Sequence, residues 1–302
     1  VKLFRWNSAH TPQRAFRAHR WLMGVFVLLG VSLLAQGFPA PQATLYTRTF
    51  SAHAQAWTAD NHLSLAQAWQ AIGDTPRALP HWEAALAQQP TLALARLLSE
   101  TYLAQGDGGR ALDKARTAYA LAPDDAWANA QLGFLLAPFA PTQAQSHWRV
   151  VATHANASPD QRDLARALLA LGDDVSPQRI GTTFIAHKAW AYAEQAFAYL
   201  ATQDYPNALA TAYIGWVRQN NGKDGTTWTS SAVALAPEDA DVRLLQALQL
   251  RQAGAHEASI QAFETAIALN PQNPVAYAEF AALYDLLGLT EQAQRLRQDA
   301  PP

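Results

Sequence analysis

The sequence contains no cysteine. Disulfides, thiolate catalysis, zinc–thiolate sites and thioether-linked haem are excluded, and cysteine usage gives no reading of redox compartment. Charge is scarce as well: 15% of the 302 residues are Asp, Glu, Lys or Arg, against 50% hydrophobic. No acidic residue precedes Asp60, whereas Lys2, Arg5, Arg14, Arg17 and Arg20 open the chain. From position 49 onward sixteen basic residues face twenty-four acidic ones, a balance of about −8. A body of that sign lacks the basic footprint that neutralises phosphates, which argues against nucleic-acid partners.

Against this background one long apolar run stands out. Trp21 to Phe38 is eighteen residues without a charge. As a helix it would be about 27 Å long at 1.5 Å per residue, close to the ~30 Å hydrocarbon layer. The basic lead lies on its N-terminal side, which orients residues 1–20 to the cytoplasm and everything after Phe38 to the extracytoplasmic side. The reading is a basic cytoplasmic N-terminus (1–20), a transmembrane helix (21–38), and a connector (39–58) opened by Pro39 and Pro41. Ala35-Gln36-Gly37 has the small-x-small form of a cleavage site, so a signal peptide and a secreted product form the alternative. Valine at position 1 fits a GTG start, a pointer to bacteria, and with the anchor the expected place is the bacterial envelope.

The remainder, 59–302, is periodic. Asn61 to Pro90 carries Leu65-Ala66, Trp69, Gly73, Ala78, Trp82, Ala85 and Pro90. Leu98, Ser99, Tyr102, Gly106, Ala111, Ala118 and Pro123 repeat the pattern 33 residues later. Gly254, Phe263, Ala266 and Pro271 mark another unit. Tyr277, Ala281, Tyr284, Gly288 and Ala293 open a last one, 34 residues on from glycine to glycine. This pattern resembles the tetratricopeptide repeat. The resemblance implies an all-α, TPR-like helical-hairpin solenoid of roughly six helix pairs. Small residues would sit where antiparallel helices cross, aromatics between hairpins, and glycine in the turn. Within about 126–237 the pattern is degenerate. It keeps Leu132-Gly133, Trp148, Ile180-Gly181, Phe184, Phe197 and Ile214-Gly215, but Pro138 and Pro141 replace a turn, 158–171 is a short helix, and one second helix is shortened. Gln246 stands where a large apolar residue is expected.

Catalytic patterns are scarce. Gln105 to Arg110 (QGDGGR) lacks the lysine and hydroxyl of a phosphate loop and falls in a turn. His147 and His154 have no third metal ligand at suitable spacing, with a helix end between them. Asp124-Asp125 and Asp173-Asp174 read as helix caps. No enzyme, cofactor, metal or small-molecule substrate is expected. Trp69, Trp82 and Trp148 fall at packing positions. Trp127, by contrast, lies early on a first helix, on the face that lines the groove in this family. The resemblance makes Gln67, Gln70, Arg96, Glu100, Trp127, Phe134 and Arg251 the groove candidates. The expected function is protein binding, as a membrane-anchored scaffold or assembly factor. The alternative is a permanent subunit of an integral membrane complex, where Gly24, Gly30 and Ser32 would permit close helix contact.

Overall fold

The computed structural model describes residues 58–203 and 205–302. The expected transmembrane helix lies outside the described residues. Among those described, no helix is long and apolar enough to cross a membrane. They form fifteen α-helices and no strands. They fall into two compact units, 58–98 and Ser99–Pro302, with the division inside the third helix.

The first unit holds α1 (Ala59–Ala71), α2 (Thr75–Gln88) and the start of α3 (Leu92–Gln105). Thr58 caps α1 by accepting from the Asn61 amide, and Asp74 caps α2 by accepting from Arg77. Such side-chain acceptors satisfy amides that have no partner within the first turn. Ala78 is fully buried, as expected of a crossing residue, and Trp82 is buried beside it on α2. Trp69 is half-buried, with the Arg77 guanidinium 4.9 Å from its ring centroid.

The second unit continues with α4 (Gly108–Leu121), α5 (Ala126–Leu136), α6 (Pro141–Thr153), α7 (Pro159–Leu169), α8 (Pro177–Ala186), α9 (Trp190–Gln203), α10 (Ala208–Asn220), α11 (Thr226–Leu235), α12 (Ala240–Gln252), α13 (His256–Leu269), α14 (Pro274–Leu286) and α15 (Thr290–Asp299). Helices pair as hairpins except for α7, which stands alone between α6 and α8. Counting α1/α2, the described residues hold seven pairs and one single helix, which corrects the expected six. The short helix expected at 158–171 is α7, opened by a Ser158–Gln161 capping box.

Close approach explains the small residues of the degenerate stretch. The Trp148 indole donates to the Gly133 carbonyl at 3.0 Å. A Cβ at Gly181 would come 2.7 Å from two Phe197 ring atoms, and one at Gly215 would meet the Gly225 carbonyl at 2.8 Å. Gln246, which stands where a large apolar residue is expected, is half-buried, and α12 also carries a fully enclosed amide, Gln249. Gln249 accepts from the Thr229 hydroxyl at 3.2 Å and donates to Gln219 at 3.1 Å, so its amide is satisfied.

Candidate functional site

In the second unit, α3, α5, α9 and the α10–α11 turn enclose a cleft of about 300 Å³. α3 contributes Glu100, Leu103 and Ala104; α5 contributes Trp127 and Gln131; α9 contributes Ala191 and Tyr192; the turn contributes Asn221 and Lys223. The volume is at the lower end of the range for ligand pockets. Two of the groove candidates, Glu100 and Trp127, are in its wall.

The polar wall is fixed rather than loose. Gln131 is 3% exposed. Its amide donates to the Ser99 hydroxyl at 3.0 Å, and Ser99 in turn donates to the Ala111 carbonyl at 2.8 Å. The Gln131 carbonyl oxygen accepts from the Tyr192 hydroxyl. Burial, and secondarily the Glu100 carboxylate, push the Tyr192 phenol above its ordinary range, so it remains a donor at neutral pH. Behind the cleft Glu194 is 5% exposed, and both of its oxygens are occupied: Arg218 at 2.6 Å and Lys223 at 2.9 Å. A buried carboxylate is tolerated only with such pairing. The pairing also holds the Lys223 side chain in the cleft wall.

The other candidates are placed differently. Phe134 is 3% exposed. Its ring lies 5.4 Å from Tyr192 and 6.2 Å from Phe184, both edge-on. This corrects its expected place on an open face, because α8 and α9 cover that part of α5. Arg251 is half-buried and committed to α14: it donates to the Glu279 carbonyl at 3.0 Å and pairs with the Glu279 carboxylate at 2.7 Å. In the first unit Gln67 and Gln70 line a separate cleft of about 400 Å³ with Asp60, Trp82, Gln89 and Leu97. Arg96 is exposed on the part of α3 in that unit.

Sequence reasoning missed Gln131, Tyr192, Asn221, Glu194 and Lys223. Tyr192 meets Gln131 across 61 positions of chain, a separation that no local period signals. The one available signal was Gln131 itself, an amide one residue before the Leu132-Gly133 packing pair. His147 shares a 3.0 Å hydrogen bond with the Asn129 amide oxygen. His154, just past the end of α6, meets the Asp124 carbonyl at 3.0 Å and accepts from the Asn156 amide. Asp125 caps α5 by accepting from Ala128 at 2.8 Å.

Residues 262–295, from α13 into α15, match the family model described as Tetratricopeptide repeat. The chain carries a tetratricopeptide repeat. No curated protein sequence matches it. Among solved structures it is similar to a tetratricopeptide repeat protein from Parabacteroides merdae, with 14% identity, a TM-score of 0.41, and 92% of this chain and 99% of that one covered. It is also similar to PilW, described as a type IV pilus biogenesis factor, with 17% identity, a TM-score of 0.33, and 71% and 94% covered. Yeast Tom70 gives 10% identity, a TM-score of 0.29, and 79% and 67% covered.

Proposed function

We propose that the chain is a membrane-anchored, non-catalytic scaffold or assembly factor that holds a segment of a protein partner on the extracytoplasmic side. The observation that carries the binding part is the cleft at Trp127, where an aromatic wall meets polar groups already fixed by Gln131, Tyr192 and the Glu194 pairs. A partner segment entering there buries apolar surface on Trp127, and the amide and hydroxyl groups around it set its orientation. Gln67, Gln70 and Arg96 offer a second contact surface in the first unit. The anchor and the side of the membrane rest on the sequence, on the basic lead followed by residues 21–38.

Two measurements test the proposal. The chain should stay in the membrane pellet after alkaline carbonate washing, with its repeats open to protease added outside the cytoplasmic membrane. Recovery in a soluble fraction, or protection of the repeats, overturns the location. Trp127→Ala should lower recovery of the co-purifying protein about tenfold, equivalent to roughly 1.4 kcal/mol, with little change in melting temperature. Full recovery with the variant overturns the cleft as the binding surface.

A further inference from the structure

We propose that His62 and His81 form the protein half of a divalent transition-metal site of the imidazole-preferring class headed by copper(II). His62 stands on α1 and His81 on α2. Their Nδ1 atoms lie 3.1 Å apart, with ring centroids separated by 5.4 Å and ring planes tilted by 34°. Two nitrogens at that separation, each about 2.0–2.1 Å from one ion, subtend roughly 100° at it. That angle falls between the right angle of tetragonal copper(II) or nickel(II) and the tetrahedral angle of zinc. The nitrogens therefore need almost no translation to become ligands of a single ion; the rings turn outward until both lone pairs converge.

The proton count is conserved. In the metal-free pair one ring donates its Nδ1 proton to the other. On binding, the donor ring carries its proton on Nε2 instead, and both Nδ1 atoms coordinate as neutral imidazoles. No oxidant or reductant is involved. The helices supply rigidity, since Ala66, one turn after His62, is buried, and Ala78 and Trp82, which flank His81, are buried as well. Side chains held on packed helices keep their spacing better than side chains on loops.

Both histidines are only half-buried, so solvent can reach an ion between them. Among the described residues no group of three or more His, Cys, Asp or Glu forms a metal cluster. The described residues thus offer two nitrogens, and water or a donor from a bound molecule can fill further positions. This site belongs to the first unit and does not depend on the Trp127 cleft.

The test is copper(II) titration of the full chain in detergent, followed by calorimetry and by electron paramagnetic resonance. Expected is a tightest site with a two-nitrogen signature, weakened at least tenfold in either His62→Gln or His81→Gln and unchanged in His147→Gln. Wild-type affinity in either of the first two variants overturns the proposal. If those variants unfold, the wild type still decides it. Substoichiometric copper(II) should broaden the ring-proton resonances of two histidines first, and those two should be the pair joined by a through-space contact between their rings. Initial broadening of any other histidines overturns it.

Discussion

The α8/α9 and α12/α13 hairpins are the same device made from different residues. Sixty-six positions separate their equivalent points. Gly181 stands for Ala247 at the helix crossing, Ala193 for Ser259, Phe197 for Phe263, and Lys188 for Gly254 in the turn. Both crossings are tight. At one, Gly181 lies under the Phe197 ring; at the other, the Ser259 hydroxyl donates to the Ala247 carbonyl at 2.7 Å. Both aromatics are fully buried and stack on the following hairpin, Phe197 on Tyr213 at 4.2 Å and Phe263 on Phe280 at 5.2 Å. Even the turn bonds coincide. Lys188 and Ala189 donate to Ile185 and Phe184, as Gly254 and Ala255 donate to Arg251 and Leu250. The difference teaches which parts of the pattern are indispensable. Close crossing and the aromatic plug persist in the degenerate stretch, while the turn residue is free to drift.

If that equivalence is sound, emptying either plug should have the same effect. Phe197→Ala and Phe263→Ala should each lower stability by about 3–5 kcal/mol, read from urea midpoints of the chain. A loss below about 1 kcal/mol at Phe197 alone would show that the degenerate hairpin is not a packed repeat.

The two hairpins part company at Glu194, whose equivalent is the half-buried Ile260. The regular hairpin fills this place with an apolar side chain. The degenerate one buries a carboxylate and pairs it twice. Glu194→Ala removes the anion and leaves Arg218 and Lys223 facing each other. Those cations keep about a quarter and a fifth of their side-chain surface exposed, so water relieves part of the penalty. The expected loss is about 2 kcal/mol, below the value for breaking a fully buried pair. Glu194→Ile tests the comparison more sharply. If the ion pair serves only as filler, the apolar equivalent should recover most of the loss. If it fixes Lys223 in the cleft wall, stability should recover while partner recovery does not.

What could be read from the sequence follows from this contrast. Turn glycines and crossing residues recur at fixed local spacing, so Gly73, Gly106, Gly254 and Gly288 located their hairpins, and Gly133, Gly181 and Gly215 kept the register through the irregular middle. The cleft was half legible. Glu100 and Trp127 follow from helix-face arithmetic on α3 and α5. Tyr192 and Lys223 come from α9 and the α10–α11 turn, too far along the chain for spacing on α3 or α5 to signal them. Phe134 was misplaced for the same reason, since arithmetic on α5 alone gives no sign that α8 and α9 cover it. The α8–α9 turn carried no glycine to announce it.

That missing glycine gives the smallest prediction and the only one with a stabilising sign. Lys188 has φ of 55°, a left-handed conformation in which Cβ crowds the following carbonyl. Gly254, its equivalent at φ of 77°, has no Cβ to crowd, and one placed there would meet nothing within 4 Å beyond its own chain neighbours. The strain that a side chain would bring at Gly254 is therefore intrinsic to the backbone. Lys188→Gly removes a strain of about 1–2 kcal/mol but widens the freedom of the unfolded chain by about 0.5–1 kcal/mol, for a net gain of roughly 0.5–1 kcal/mol. Gly254→Lys should lose a similar amount. Because the two substitutions exchange residues between equivalent turns, the double variant should return close to wild-type stability, provided the sites act independently. A destabilised Lys188→Gly would mean that the lysine side chain holds its turn through contacts of its own, and the two turns would then not be equivalent.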